Sequence, residues 1–104
     1  MNKYNIEITE PAEKDLHEIG NYIANELLQP NVALKAVGRI AEAIFSLEKM
    51  PLRNALVMDE RLALQGIRKT IIDNYIVFYS VSEKEKKVTV IRILYSRRDW
   101  ISLL

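Results

Sequence analysis

The stretch Gly66-Ile-Arg-Lys-Thr-Ile-Ile-Asp-Asn-Tyr-Ile-Val-Phe-Tyr-Ser-Val81, followed by a charged turn and Val88-Thr-Val-Ile-Arg-Ile-Leu-Tyr95, decides the fold. Its three runs rich in β-branched and aromatic residues are separated by Asp73-Asn74 and by the polar segment 82–87. Short polar breaks of this kind predict an antiparallel meander. We expect strands at about 66–72, 75–81 and 88–95. The last should be a central strand because it is apolar on both faces.

An opening strand and a first helix precede the meander. Apolar residues at positions 4, 6 and 8 alternate with polar ones, which indicates a strand beside the central one. Thr9 is a suitable helix cap, and Pro11 fits the first turn because an N–H is not needed there. The apolar stripe of this helix consists of Ala12, Leu16, Ile19, Ile23 and Leu27.

A second helix is predicted at about residues 32–49. Pro30-Asn31 interrupts the first helix, Asn31 is the expected cap, and Pro51 ends the pattern. Gly38 weakens this helix by about 1 kcal/mol relative to alanine, which we attribute to the close approach of another helix. A connection this short predicts an antiparallel hairpin. The stripe of the second helix consists of Leu34, Val37, Ile40, Ala41, Ile44 and Leu47.

The chain as a whole predicts one α+β domain over residues 1–104, in the order β-α-α-β-β-β. The helical hairpin should cover one face of an antiparallel sheet, with residues 50–65 as a crossing loop. Trp100, Leu103 and Leu104 have the helical spacing of a short C-terminal docking tail. The face opposite the helices is where we expect side chains to project from the sheet, namely Arg68, Tyr75, Tyr79 or Arg92.

The composition argues against several classes of site. The chain contains no cysteine and one histidine, His17, so neither a disulfide framework nor a metal site is expected. It has no phosphate-binding glycine loop and no Ser/His/Asp set, so we expect no cofactor. The start has no apolar signal core, and no apolar run approaches the roughly 18 residues of a membrane span. These features predict a cytoplasmic protein without membrane contact.

Charge is divided unevenly along the chain. Residues 1–60 carry six Lys/Arg against ten Asp/Glu, whereas residues 61–98 carry nine against three. A basic sheet half suggests an acidic or polyanionic partner, and the alternative is that these charges only solvate an ordinary surface. Cations and tyrosines on strands can also hold phosphates and stack on bases, as a nucleic-acid-binding protein or a metal-independent ribonuclease requires. The residues of this set are Arg68, Lys69, Arg92, Arg97 and Arg98 with Tyr75, Tyr79 and Tyr95.

Four motifs, in this order and spacing, carry a family resemblance over essentially the whole chain. They are Thr9-Glu-Pro-Ala-Glu-Lys-Asp-Leu16, Gly66-Ile-Arg-Lys69, Tyr75-Ile-Val-Phe-Tyr79 and Ile91-Arg-Ile-Leu-Tyr-Ser-Arg-Arg-Asp-Trp100. The chain resembles the RelE/ParE superfamily of bacterial type II toxins. This resemblance implies a growth-inhibiting toxin of the plasmid-stabilisation type. It also implies a cognate antitoxin that silences the toxin, in a possible toxin–antitoxin hetero-oligomer.

The resemblance implies one of two mechanisms. RelE-like members cut mRNA on the translating ribosome, using basic sheet residues and a late tyrosine or histidine. Lys69 and Arg97 match basic positions of that set. However, Ile76 stands where an arginine is expected, and the chain ends at Leu104 without a late tyrosine or histidine. In an endoribonuclease, Tyr95 must then supply the missing acid or base beside Lys69 and Arg97.

ParE-like members of the superfamily poison DNA gyrase and lack the nuclease set, and the ending of the chain is closer to theirs. We therefore favour gyrase inhibition, which leaves open whether the protein is an enzyme. A third alternative is a non-toxic basic module that binds nucleic acid. The residues expected to bind the target or nucleic acid are Arg68, Arg92, Arg97, Arg98 and Trp100.

Overall fold

A computed structural model describes residues 3–104 of the chain. It contains four strands and four α-helices, with a π-helical turn at Tyr22–Glu26 and a 3-10 turn at Pro51–Arg53. The strands are β1 (Asn5–Ile8), β2 (Arg68–Ile72), β3 (Tyr75–Ser82) and β4 (Lys87–Tyr95). The helices are α1 (Glu10–Asn21), α2 (Pro30–Ser46), α3 (Glu60–Leu64) and α4 (Trp100–Leu103).

The strands form one sheet in the order β1-β4-β3-β2, so β4 is central as predicted. β2, β3 and β4 form the expected antiparallel meander. The α+β class and layout are confirmed, but β1 pairs with β4 in parallel and the sheet is therefore mixed rather than wholly antiparallel. The chain after α2 returns to the start of β1, where the Tyr4 N–H donates to the Glu48 carbonyl at 2.9 Å.

The helical hairpin forms where it was predicted, with a different register at the start of α2. Thr9 caps α1, since its hydroxyl accepts the Ala12 N–H at 3.2 Å. The cap predicted at Asn31 is wrong, because α2 begins at Pro30, two residues before the predicted start, and its cap position is Gln29. The inward stripe begins at Ala33, and Leu34, one residue further round the helix, is 74% exposed. Leu27 is also exposed, because it follows the π-helical turn and no longer continues the α1 stripe.

The two helices approach closely at Gly20 rather than at Gly38. A Cβ added to Gly20 would lie 3.2 Å from Val37 Cγ2, so only glycine fits this crossing without movement of its neighbour. A Cβ added to Gly38 meets no atom within 4 Å. The predicted packing role of Gly38 is therefore wrong within the chain described.

The sheet has a helix face and a tail face, each with its own apolar cluster. The helix face, which includes Val77 on β3, packs against α1 and α2. The tail face, which includes Ile76 and Phe78, packs against α3 and the C-terminal residues. The predicted docking tail is confirmed, since Trp100 lies against Phe78 with ring centroids 5.1 Å apart. The crossing segment 50–65 is not wholly a loop, because it forms the 3-10 turn and α3.

Within residues 3–104, no helix combines the length and hydropathy needed to cross a membrane.

Candidate functional site

Lys69 and Tyr95 lie on opposite faces of the sheet. In the strand register, Lys69 on β2 pairs with Phe78 on β3, which places Lys69 on the tail face. Tyr95 on β4 pairs with Tyr75, which packs against the helix-face cluster. The two tyrosine rings meet edge to face with centroids 5.9 Å apart. The sheet therefore separates two of the three groups predicted for a nuclease.

The tail face places Lys69 over the indole of Trp100. Lys69 Nζ lies 5.5 Å from the centroid of the indole, within the range of a cation–π contact. The indole also packs on Phe78, so both predicted site residues lie on the surface formed by β2 and α4. This surface presents a cation supported by an aromatic ring and has the chemistry to bind an acidic or phosphate-bearing group.

Arg92 is committed to an internal ion pair. Its Nε and Nη2 donate to the two carboxylate oxygens of Asp15 at 2.7 and 2.8 Å, and its Nη1 donates to the Leu103 carbonyl at 3.1 Å. These bonds raise the pKa of Arg92 above its ordinary value, with the hydrogen bond to Asp15 as the main cause. The strand register pairs Arg92 with Phe78 and so places it on the face opposite the long helices, as predicted, but its guanidinium group is bound within the chain rather than projecting to a partner.

Asp15 is a structural residue that the sequence analysis did not identify. It is 7% exposed, and its Oδ2 also accepts the Ile93 N–H at 3.0 Å. Asp15 thereby supplies the hydrogen-bond acceptor that the edge of β4 lacks beyond the end of β1. It also connects α1 to β4 and, through Arg92, to the C-terminal tail. The available signal was its spacing, because Asp15 lies three residues after Ala12 on the inward side of α1.

Arg68 and Tyr79 support the crossing segment rather than an open face. Arg68 Nη1 donates to the Asn54 carbonyl. The hydroxyl of Tyr79, which is fully buried, donates to the Pro51 carbonyl at 2.7 Å and accepts from Asn54 Nδ2 at 3.0 Å. Both residues share the helix face in the strand register, as does Tyr75. The expectation that these three side chains project from the opposite face is wrong.

Arg97 and Arg98 are exposed in the turn between β4 and α4. Within the described residues, neither of them forms a salt bridge. The turn is fixed by two backbone bonds, from the Ser96 N–H to the Asn74 carbonyl at 2.8 Å and from the Arg98 N–H to the Tyr95 carbonyl at 3.0 Å. These two guanidinium groups are therefore held on an ordered turn and are free to meet a partner.

A groove of about 800 Å³ lies between α1, the π-helical turn and the ends of β3 and β4. Three tyrosines line it, namely Tyr22, Tyr75 and Tyr95. The pKa of Tyr75 is raised above its ordinary value, mainly by burial and further by the nearby Tyr95, Tyr22 and Asp73. Tyrosines offer a large apolar area and a hydroxyl, and they are enriched in protein interfaces. The groove is lined by Asp15, Glu18, Ile19, Tyr22, Ile23, Leu27, Asn74, Tyr75, Ile93, Leu94, Tyr95 and Arg98.

The sequence analysis missed this groove because its residues come from distant parts of the chain. The sequence analysis did name four of its residues, Leu27 in the α1 stripe and Tyr75, Tyr95 and Arg98 in the basic and aromatic set, but did not bring them together. His17 lies elsewhere on α1, exposed and hydrogen-bonded to Asn21 at 3.0 Å. Within residues 3–104, no group of three His, Cys, Asp or Glu side chains is arranged to hold a metal ion.

Several solved structures resemble this one, including the following three. The chromosomal ParDE system from P. aeruginosa matches with a TM-score of 0.74 and 24% identity, over 91% of this chain and 98% of the other. The RelBE2 toxin–antitoxin complex from Mycobacterium tuberculosis matches with a TM-score of 0.67 and 21% identity, over 91% and 93%. The E. coli toxin RelE in its free state matches with a TM-score of 0.68 and 14% identity, over 97% and 92%. At these identities the likeness concerns the fold.

The family assignment comes from the sequence. No curated protein matches the chain. However, residues 6–100 match the family described as the ParE toxin of the type II toxin–antitoxin system, parDE. This match includes β2, β3, β4, all of β1 but its first residue, and the turn that carries Arg97 and Arg98, and it agrees with the fold. The chain therefore belongs to the ParE toxin family, within the RelE/ParE superfamily of type II toxins.

Proposed function

We propose that this toxin stops growth by inhibiting DNA gyrase rather than by cutting mRNA on the ribosome. The observation that carries the proposal is the placement of Lys69 and Tyr95 on opposite faces of the sheet. A general acid or base must lie within hydrogen-bond reach of the group on which it acts, and such help is worth roughly 100-fold to 10,000-fold in rate. A phosphate bound at Lys69 is out of reach of Tyr95.

A second observation supports the same choice. Ile76, at the position where RelE-like nucleases are expected to carry an arginine, is buried in the tail-face cluster beside Phe78 and Leu94. The position serves packing in this chain, so no cation from it reaches the surface. What the tail face and the adjoining turn present instead is Lys69, Trp100, Arg97 and Arg98, a basic surface suited to binding an acidic partner.

Gyrase is thus expected to be bound by the turn 96–99 and α4. The decisive experiment compares supercoiling by purified gyrase with mRNA cleavage on translating ribosomes, each in the presence of the full chain. We expect loss of supercoiling activity without mRNA cleavage. Cleavage on ribosomes together with unaffected gyrase at excess toxin would refute the proposal.

Two variants separate the mechanisms. Tyr95→Phe keeps the ring and removes only the hydroxyl, so it should remain toxic. Arg97→Glu combined with Arg98→Glu should abolish gyrase inhibition, because it reverses two exposed charges of the contact surface. Arg61→Glu with Lys84→Glu is the matched control, since it makes the same charge change at exposed positions elsewhere and should remain toxic.

We also propose that a cognate antitoxin binds this chain. The ParDE and RelBE2 neighbours are, by their descriptions, toxin–antitoxin systems, and we expect a cognate antitoxin to form a hetero-oligomer with this chain. The groove lined by Tyr22, Tyr75 and Tyr95 offers an apolar surface for such a partner, with Arg98 at its margin. Acidic antitoxin groups near Arg98 should mainly raise the association rate, so added salt should slow association more than it speeds dissociation.

The antitoxin contact can be tested separately from toxicity. Tyr22→Ala removes a large exposed side chain from the groove and should raise the antitoxin dissociation constant by about tenfold or more, as expected for an aromatic anchor. Gyrase inhibition by this variant should be unchanged. Leu64→Ala, at an exposed position on α3, is the control. Equal antitoxin affinity of the two variants would exclude the groove.

A further inference from the structure

The outward side of α2 carries an apolar seam that is left exposed by residues 3–104. Leu34 is 74% exposed and Phe45 56% exposed, at opposite ends of the helix. Gly38 and Ala41 lie between them, so the four residues follow one another at steps of four, three and four. This spacing places them on one side of the helix, as in the contact line of a two-helix pair.

In the part of the chain that the structure describes, no close packing requires a glycine at position 38. A glycine inside a helix costs about 1 kcal/mol relative to alanine, and a Cβ added here would meet no atom within 4 Å. The contact between α1 and α2 uses Gly20 instead. An open site with large apolar residues one turn before and two turns after it is suited to receiving the backbone and small side chains of a further helix.

We infer that this seam binds a second copy of the chain, with the two α2 helices antiparallel. About a two-fold axis between positions 38 and 41, Leu34 of one copy faces Phe45 of the other, and Gly38 faces Ala41. Large residues therefore meet large ones, and small residues meet small ones, at every level of the contact. Such self-complementarity is what a two-fold symmetric interface requires and what an unrelated partner helix does not.

The flanking charges follow the same symmetry. Lys35 and Glu42 are both exposed, and they lie seven residues apart on the same side of the seam. In the antiparallel arrangement Lys35 of each copy lies beside Glu42 of the other, which gives two opposite-charge pairs across the interface. In a parallel two-fold pair the flanks that carry Lys35 and Glu42 lie on opposite sides of the contact, so these charges do not meet across it. Arg39 points away from the seam and is held by Asp73 at 2.8 and 3.0 Å.

A cleft beside the seam extends the contact surface. It measures about 370 Å³ and lies between α1 and α2, with Leu16, His17 and Gly20 on one side and Val37 on the other. Val37 is three residues after Leu34 and four before Ala41, so a helix docked on the seam adjoins this cleft. The two hairpins then form a four-helix arrangement. None of the seam residues lines the groove proposed for the antitoxin.

The expected dimer is weak. One pair of helices buries less than the roughly 800 Å² per partner of a standard interface, so we expect a dissociation constant on the order of 10–100 μM. Sedimentation equilibrium of the purified full chain, from about 1 to 300 μM, measures it. A chain that stays monomeric throughout this range overturns the inference.

Two sets of variants test the geometry. Gly38→Gln fills the seam and should weaken association at least about tenfold, while it raises the melting temperature because an exposed helical glycine is removed. Leu34→Gln should weaken association similarly. Val32→Gln, on α2 but away from the seam, is the control and should leave association unchanged. Equal association constants for Gly38→Gln and the wild type contradict the inference.

The charge variants test the antiparallel direction. Lys35→Glu and Glu42→Lys should each weaken association, because each places two like-charged pairs across the interface. The double variant, with both changes, restores opposite charges and should return association to within about threefold of the wild type. A double variant no better than either single one contradicts the antiparallel pairing. None of these outcomes depends on whether gyrase is the target.

Discussion

The two faces of the sheet are covered by helices of very different length. The helix face is covered by α1 and α2, of 12 and 17 residues, which are long enough to carry continuous apolar stripes. The tail face is covered by α3 and α4, of five and four residues, each too short to show any periodicity. Both faces nevertheless bury large side chains, including Val77 on one and Phe78, its neighbour in β3, on the other.

This difference shows how one small domain combines stability with a binding surface. Long helices give the helix face a core whose integrity the whole fold requires. Short elements leave room on the tail face for cations such as Lys69 beside the apolar cluster, and the Asp15–Arg92 pair joins the two regions through the tail. Substitutions should therefore have graded effects, largest on the helix face.

The largest effect is expected from Ile44→Asp on the helix face. Ile44 is almost fully buried against the sheet, and an unpaired carboxylate there costs several kcal/mol, comparable with the whole stability of a domain of this size. We expect an unfolded protein by circular dichroism. The control is Ile71→Asp, at an exposed edge position on the tail face, which should fold. Equal melting of the two variants would contradict the comparison.

Asp15→Ala should have the next largest effect. It leaves Arg92 without its partner and the Ile93 N–H without an acceptor, at a cost of about 3 kcal/mol in the free energy of unfolding. Urea denaturation measures this cost. The matched control is Arg39→Ala, which breaks the solvent-exposed Arg39–Asp73 pair and should lower the free energy of unfolding much less. If both variants lose a similar free energy of unfolding, burial of the Asp15–Arg92 pair does not increase its contribution to stability.

Trp100→Ala should cost less, about 1–2 kcal/mol, because the indole is only partly buried in the tail-face cluster. It also removes the ring beneath Lys69. Trp100→Phe keeps an aromatic contact with Phe78 and should recover about half of the loss. If the alanine variant unfolds the protein completely, the tail face is as essential as the helix face and the proposed grading is wrong.

The smallest effect is expected at alkaline pH from Tyr75, which lies at the edge of the helix face. Its pKa is raised in the folded protein, mainly by burial, so the unfolded chain loses this proton first. The stabilising contribution is therefore complete below pH about 10 and declines as the pH rises through the folded-state pKa. Tyr75→Phe should show a flatter decline in melting temperature above pH about 10. Parallel pH profiles would contradict this assignment.

Most of the fold was predictable because the long elements carry strong local signals. The opening strand, the two helices, the three-strand meander and the central place of β4 all follow from periodicity and turn residues, as does the Thr9 cap. Helix and strand periods record which side of an element is buried. The sequence analysis assigned Leu34 rather than Ala33 to the buried stripe of α2. The two residues are adjacent, and the larger apolar side chain is the more usual choice for a core position.

The sequence by itself determined the class of the fold, the family and the basic character of the C-terminal half. Tertiary structure alone decided that β1 is parallel to β4, that Arg92 is bound to Asp15, 77 residues away, and that Lys69 and Tyr95 are separated by the sheet. The physical reason is that periodicity describes one element at a time. Strand direction, ion pairing and the face that a side chain shares with a distant residue depend on how elements meet, which local spacing does not encode.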